Sequence, residues 1–504
     1  MNDVRVFLTL DIGTTAVKAA AFDEEMEQLG MVIREYTLDT PKPDFVELDP
    51  EVYWESAVDG IRQILACTGV RPEEVACITC TTQGETLILL DEVERVIRPA
   101  IVWLDGRGRE QADRIGRYFD RATFYRHTGL PMVNGFCPIA KLVWLQEQEP
   151  FHWRQIKKVL LLEDYLIWKL TGRYVTNPAL ACSTGYFDIL TGTYWREMLE
   201  YCGLDEAQLP DIVSCGQLVG NLTSWAADEL GLTETVLVST GAMDQVAAAI
   251  GAGNLRDGMV SESTGTCDTV AATCRRADTQ WWSPVTVYCH GSEGRYLKVL
   301  ISQTSGIVYK WFRDEFCRDL VGRDEAGAAF AKMDREAQEA PPGSNGLLMY
   351  PCLAGIQFPQ ADEGARGVFL GIGLDTGRQC FLRAVLEGVG FMLKESVGVL
   401  GATPEEIVVL GGGSKSALWN QIKADICDVR IMTMRTEECA SLGAAVLGAV
   451  ACGVFKDIDA AEAYIAAKCV YAPNSERVGL YQSMYERYSQ IYEQVKQLYK
   501  RIVQ

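Results

Sequence analysis

The sequence predicts an α/β protein of two domains, and three observations carry that expectation. At 504 residues the chain exceeds what one hydrophobic core usually supports. A pattern of strand, small hydroxylated turn and returning strand opens the chain at Val6 to Phe22 and recurs at Gly258 to Cys274, as an internal duplication would produce. In the second half, apolar strands and helices alternate as far as Cys452. Gly251-Ala252-Gly253-Asn254 reads as a hinge, which gives domains 1–253 and 254–504.

Composition removes several function classes. Apolar residues make up 48% and charged residues 23%, the balance of a folded globular chain. The start, Met1-Asn2-Asp3-Val4-Arg5, leads straight into a strand, and no run of about 18 apolar residues occurs. Neither secretion nor membrane insertion is expected, and the expected location is the cytoplasm. The seventeen cysteines, odd in number and scattered through apolar contexts, fit free thiols better than a disulfide framework. Cys77-x-x-Cys80 sits in an apolar strand with no second pair behind it, so it reads as core rather than as a metal or redox site. His127, His152 and His290 are too far apart for a local zinc motif, and no G-x-S-x-G elbow points to a hydrolase. A net charge of −21 argues against a nucleic-acid partner, which would want a basic stripe. It leaves room for an anionic ligand such as ATP, because backbone amides and Mg²⁺ supply a local positive field.

Taken in order, Val6 to Leu10 suits a buried strand that ends in Asp11-Ile12-Gly13-Thr14-Thr15 before apolar character resumes at Val17. Gly13 permits a tight turn, Thr14 and Thr15 offer hydroxyls and amides to a phosphate, and Asp11 is placed to hold a hydrated Mg²⁺. A plain hairpin turn is the alternative. Strands Val17 to Phe22 and Gly30 to Leu38 continue a meander, and Asp49-Pro50-Glu51 caps a helix to about Cys67. Strand Val75 to Thr81 ends in Thr82-Gln83-Gly84-Glu85-Thr86, a polar cluster where a ligand is well placed. In Trp103-Leu104-Asp105-Gly106-Arg107 an extended backbone puts Trp103 and Asp105 on one face; a structural ion pair between Asp105 and Arg107 is the open alternative. Helices are expected from Phe136 to Leu145 and from Val159 to Leu170. The strand from Val236 breaks at Gly241, and Asp244 stands where the next helix begins, either as a cap or as a functional carboxylate. Thr264-Gly265-Thr266 repeats the hydroxylated turn. Strand Glu406 to Leu410 ends in Gly411-Gly412-Gly413-Ser414, where glycines admit close approach of another object, usually a nucleotide base or ribose. Helix Ala417 to Cys427, strand Arg430 to Met434 and helix Ala440 to Cys452 follow, and Val478 to Val503 reads as one amphipathic tail helix.

Together these stretches resemble the FGGY family of carbohydrate kinases, within the actin-like ATPase superfamily, over essentially the whole chain. Phe136-x-Pro138-x-x-Lys141-Leu142-x-Trp144-Leu145-x-Glu147-Gln148 is similar to the family's first signature. Gly367-Val368-Phe369-Leu370-Gly371-Ile372 through Arg383-Ala384-Val385-Leu386-Glu387 is similar to its second. The resemblance implies two actin-like (ribonuclease H-like) α/β domains flanking a central cleft, and ATP-dependent phosphorylation of a hydroxyl of a small sugar or polyol. It implies Asp244 as general base and Asp11 as the Mg²⁺ ligand. Thr14, Thr15, Lys18, Thr264, Gly265 and Thr266 would face the phosphates of ATP, and Gly411, Gly412, Ser414 and Asn420 the adenosine. Gln83, Glu85, Trp103, Asp105 and Gln245 would contact the substrate. The expected partner is a small sugar or polyol, with neither membrane nor nucleic acid, and the expected assembly is a homodimer.

Substrate signals in the sequence are mixed. The C-terminal half looks most like xylulose kinases, and a ketopentose such as xylulose is the expected substrate. Thr82-Gln83-Gly84-Glu85-Thr86 resembles the glycerol kinase pattern with its Arg replaced by Gly84, and Gln245 also resembles glycerol kinases, where xylulose kinases usually place Asn. Gly84-Glu85 replaces the xylulose kinases' Met-His pair, Ala354-Gly355-Ile356-Gln357 replaces their Gly-Glu-Arg, and the family's acidic position near Asn177 is changed. Glycerol, erythritol, another polyol or an aldonate is the alternative acceptor. An actin-like ATPase switch or chaperone fits the two nucleotide turns but not the two signatures, and no G-x-G-x-x-G follows a strand as a dinucleotide enzyme requires.

Overall fold

The computed structural model describes residues 5–321, 326–357 and 361–502. Outside them lie Met1 to Val4 of the expected start and Val503 of the expected tail helix. The chain has a two-domain α/β fold whose compact units are not continuous in sequence. The first comprises the described residues up to Leu255 together with Cys274–Leu297 and Glu438–Ile465. The second comprises Arg256–Thr273, the described residues of Lys298–Glu437 and those from Ala466 onward.

The first unit is built on a six-stranded sheet in the order Leu218–Asn221, Leu237–Met243, Val75–Thr82, Val6–Ile12, Ala16–Phe22, Gln28–Glu35. The last three form an antiparallel meander, and Val6–Ile12, Val75–Thr82 and Leu237–Met243 run parallel. Every residue of Val6–Ile12 is buried, as expected of a parallel strand covered on both faces. On one face Leu8, Leu10, Ile12 and Val17 join Tyr53, Trp54, Ala57 and Ile61 of helix Pro50–Thr68 in a single core. That helix starts where Asp49 accepts the Glu51 amide and ends at Gly69, whose φ of 73° is left-handed. The other face, where Phe7 and Thr79 lie, is covered by helix Cys439–Ala451, close enough that a side chain on Gly448 would strike Thr79. Asp11 shares the parity of Phe7 and so belongs to this face.

A smaller sheet of Glu47–Leu48, Ala100–Ile101, Leu87–Leu90 and Lys158–Leu161 adjoins the first within the same unit. Here the expected helix Val159 to Leu170 divides. Lys158–Leu161 is a strand in full antiparallel register with Leu87–Leu90, and the helix runs Leu162–Thr171. Pairing with a distant strand overrides local helical preference, and Asp164 marks the break by accepting the Leu161 amide at 2.8 Å.

The second unit repeats the plan. Five of its strands run in the order Asp268–Cys274, Val260–Thr264, Glu406–Leu410, Arg430–Met434, Ala467–Tyr471. The first pair is an antiparallel hairpin, the next two strands are parallel to Val260–Thr264, and the last is an antiparallel edge. The expected tail helix is two helices, Ser475–Tyr488 and Ile491–Ile502. At the break the Ser489 hydroxyl donates to the Glu486 carbonyl at 3.1 Å, a local bond that competes with helix continuation.

Candidate active site

In the first unit Asp11 stands one residue from the end of its strand, 7% exposed, and pairs across the hairpin with Lys18. The Lys18 ammonium lies 3.9 Å from the Asp11 carboxylate and 2.5 Å from that of Glu438, which precedes helix Cys439–Ala451. Burial pushes the Asp11 carboxyl up to about 6; Lys18 opposes the shift and Glu438 adds to it. Burial alone would lower the Lys18 pKa, but its bond to Glu438 and the charge of Asp11 raise it. The turn is held from outside by Tyr36, whose hydroxyl donates to Gly13 O at 2.5 Å and whose amide donates to Thr15 O at 2.9 Å. Gly13 has no positive φ, and a Cβ there would meet nothing closer than Ala16 O at 3.5 Å. The turn itself therefore does not demand glycine.

Asp244 is the first residue of helix Asp244–Gly251, with Met243 in the capping position. Its Oδ1 accepts the Gln245 amide at 2.6 Å. Burial, then the charges of Asp11 and Glu85, raise its carboxyl to about 7, with the Gln245 bond opposing. Asp11 and Glu85 thus each lie within electrostatic reach of Asp244. Glu85 holds a left-handed φ of 59°, and burial lifts its carboxyl to about 6 against the pull of Lys141 and a Ser183 hydrogen bond. Gln83 is buried; its Nε2 donates to the Tyr53 hydroxyl at 3.3 Å while its Oε1 has no partner. The Trp103 indole N–H donates to Thr14 Oγ1 at 3.0 Å, tying a substrate candidate to the Thr14-Thr15 turn.

Asp105 is the exception among these residues. It is fully buried, and its two oxygens accept from the Arg107 guanidinium at 2.8 and 2.7 Å, from the Arg107 amide and from the Val46 amide. The ion-pair alternative describes it, and no acceptor is left for a ligand.

In the second unit the hydroxylated turn is divided in role. Thr264 is buried, and its Oγ1 donates to Glu262 and accepts from Lys423, each at 2.7 Å. Glu262 and Lys423 are themselves fully buried and joined by two 2.7 Å bonds. Gly265 and Thr266 are exposed. The glycines at 411–413 also divide. A side chain on Gly411 or Gly413 would collide with Thr264 at 2.8 or 2.6 Å, whereas at Gly412 it would meet nothing within 4 Å. The close-approaching object expected there is, for Gly411 and Gly413, the chain's own strand end. Ser414 Oγ donates to Gly411 O at 2.7 Å, and buried Asn420 donates to Ser414 O at 2.8 Å with its Oδ1 left unpartnered.

Two family models cover most of the chain. The N-terminal domain of the FGGY family of carbohydrate kinases matches residues 6–251 and its C-terminal domain matches 259–452. The chain belongs to the FGGY family of carbohydrate kinases. It is an enzyme that transfers phosphate from ATP to an alcohol group of a small sugar. This FGGY kinase is 31% identical over 487 residues to a xylulose kinase of Staphylococcus epidermidis, covering 96% of the chain and 95% of that protein. Two solved structures from Lactobacillus acidophilus, a ligand-bound xylulose kinase and a gluconate kinase, each superpose with a TM-score of 0.88 at 26% identity, covering 99% of this chain and 100% of theirs. Among the described residues of this FGGY kinase no helix is long and apolar enough to cross a membrane.

Several residues that shape the site carried no separable signal. Lys141 is fully buried and donates to the carbonyls of Val102, Trp103 and Glu85 at 2.9, 3.2 and 3.3 Å; burial, opposed by Glu85, lowers its pKa to about 8. Its sequence cues are its place in the first signature and a lysine on the apolar face of helix Pro138–Gln148. Glu438, Glu262 and Lys423 have none, because their partners lie 420, 161 and 159 residues away. Cys77 and Cys80 are three apart on a strand and face opposite sides, so they cannot share an ion.

Proposed function

We propose that the chain phosphorylates a neutral ketopentose such as xylulose, with Asp244 as general base and Mg²⁺ held at Asp11. The observation that carries this reading is the Asp244 carboxyl, set at a helix start beside Asp11 and Glu85 and raised to about 7, where a base works best at neutral pH. Phosphoryl transfer asks mainly for alignment and charge neutralisation. Asp244 would accept the proton of the attacking hydroxyl. Gln83, with its unpartnered Oε1, Glu85, Trp103 and Gln245 would orient the sugar; Asp105 is left out of this set. The amides of Thr14 and Thr15, and of Gly265 and Thr266, would take phosphate oxygens. Gly412, Ser414 and the unpartnered Oδ1 of Asn420 would border the adenosine, and Lys18 would orient Asp11.

Among the described residues no group of three His, Cys, Asp or Glu could hold a metal. Mg²⁺ needs only one or two carboxylates when phosphates and water complete its shell, so Asp11 fits. Bound there, the ion would neutralise charge on the phosphates. The similarity to xylulose kinases supports the sugar. A carboxylate substrate is disfavoured: it would meet Glu85 and Asp244, while the three donors of Lys141 are engaged by carbonyls.

A coupled ADP assay over xylulose, ribulose, glycerol, erythritol and gluconate tests both parts. Xylulose or ribulose should be turned over fastest, and Asp244→Asn should lower that turnover by at least ~10²-fold. Near-normal turnover in the variant sinks the base; gluconate ahead of every neutral acceptor sinks the neutral-sugar reading.

A further inference from the structure

The strand that delivers Asp244 does not run straight into its helix. Leu237–Met243 pairs in parallel with Val75–Thr82 as Leu237↔Cys77, Val238↔Ile78 and Ser239↔Thr79, then resumes as Ala242↔Thr81 and Met243↔Thr82. Three residues thus run against two, a bulge of one extra residue. Bulges are uncommon in parallel pairs and cluster beside active sites, where they re-aim a side chain. Without the extra residue every side chain beyond Ser239 would face the opposite side of the sheet, and the helix carrying Asp244 would start one position away.

A bulge leaves backbone groups outside the ladder, and inside a protein they need other partners. The Thr240 amide donates to Gln217 O at 3.0 Å, and Ala242 O accepts from the Thr81 hydroxyl at 2.8 Å. The Gly241 amide has the one side-chain acceptor: Glu163 Oε1, at 2.8 Å. Gly241 is wedged against the neighbouring strand so tightly that a Cβ would lie 1.8 Å from Cys80 O, so the turn of the chain here has no slack.

Glu163 is fully buried in the first turn of helix Leu162–Thr171. The same Oε1 also accepts from Asn177 Nδ2 at 3.0 Å, and Asn177 is itself fixed because its Oδ1 caps the Leu180 amide at 3.0 Å. Burial and the nearby Asp164 raise the Glu163 carboxyl to about 8 despite the Gly241 bond, and the side-chain oxygen of an amide can supply the same acceptor.

We propose that Glu163 is a positioning residue for phosphoryl transfer: through the Gly241 amide it holds the bulge that sets where Asp244 stands. The inference rests on Asp244 being the base. The strand, the bulge and Glu163 lie in one compact unit.

Steady-state kinetics on the full chain, with the best neutral sugar and ATP, compare Glu163→Gln, which keeps the acceptor, with Glu163→Leu, which removes it. Glu163→Gln should stay within about 2-fold of wild type, while Glu163→Leu should lose about 10-fold or more in kcat, the scale of a displaced reacting group, with the KM for ATP little changed. Amide exchange in the peptide spanning 237–243 should speed up in Glu163→Leu and not in Glu163→Gln. Wild-type kcat in Glu163→Leu, an equal loss in Glu163→Gln, or a kcat loss matched by a rise in the KM for ATP each overturns the proposal. If Glu163→Leu does not fold, Glu163→Met replaces it with the same outcomes. Failure of the base reading shows separately, as retained turnover in Asp244→Asn whatever the exchange result.

Discussion

Asp244 combines a functional geometry with a stability cost. Its carboxyl, near 3.8 in an ordinary setting, titrates at about 7 in the folded chain, so the folded state holds that proton more tightly than the unfolded state does. The resulting stabilisation is fully present below the ordinary carboxyl range and is lost as pH rises through about 7. Asp11, raised to about 6, has the same sign over a lower window. Asp244→Asn should therefore raise the Tm at pH 8, by at least about 2 °C, and change it much less at pH 4.5, while abolishing most activity; a thermal-shift series over pH reads both ends. An unchanged or lowered Tm at pH 8 would contradict the burial that raises the carboxyl. At this scale the sequence was legible where chemistry announces itself locally. Asp11 before a hydroxylated turn and Asp244 after a broken strand are such cases. Asp105 was ambiguous because a carboxylate two residues from an arginine reads equally as ligand or ion pair until its burial is known. Glu163 was invisible because its partner amide lies 78 residues on.

The helix that begins at Asp244 is positioned by backbone contact. A Cβ on Gly251 would meet Cys439 O at 2.0 Å, and one on Gly443 would meet Ala247 O at 1.9 Å. Helices Asp244–Gly251 and Cys439–Ala451 thus touch main chain to main chain at two glycines. Gly443→Ala must separate them, and it should cost about 1–3 kcal/mol of stability and reduce kcat as the helix bearing Asp244 shifts. Gly479→Ala is the matched control: it sits exposed within helix Ser475–Tyr488 with nothing within 4 Å of the added Cβ, and it should stabilise by about 0.5–1 kcal/mol with kcat unchanged. Denaturant melts with parallel kinetics separate the two. Helix and strand identities were largely readable; Glu406–Leu410 and Ala417–Cys427 coincide with expectation, since period and caps agree there. Lys158–Leu161 was misread because its strand character comes from Leu87–Leu90, some 70 residues earlier.

At the scale of the molecule, the repeated sheet plan was foreshadowed by two similar hairpins, but the assignment of segments to units was not. The first unit recruits Cys274–Leu297 and Glu438–Ile465 from beyond the hinge, and helix Cys439–Ala451 buries Leu442, Val446 and Leu447 over strands Val6–Ile12, Val75–Thr82 and Leu237–Met243. A fragment ending at 253 leaves that apolar face in water and should not unfold cooperatively, whereas the full chain should; calorimetry on both decides it, and a sharp transition in the fragment would refute the dependence. The same recruitment sets a clock on synthesis. Some 180 residues separate Leu255 from Glu438, and at about 5–20 residues per second the ribosome needs roughly 10–40 s to add them. For that interval the nascent first sheet waits with Asp11 in place and its covering helix not yet made. The first unit is thus begun first and finished last, and the face that Gly448 will later close stands open in the meantime.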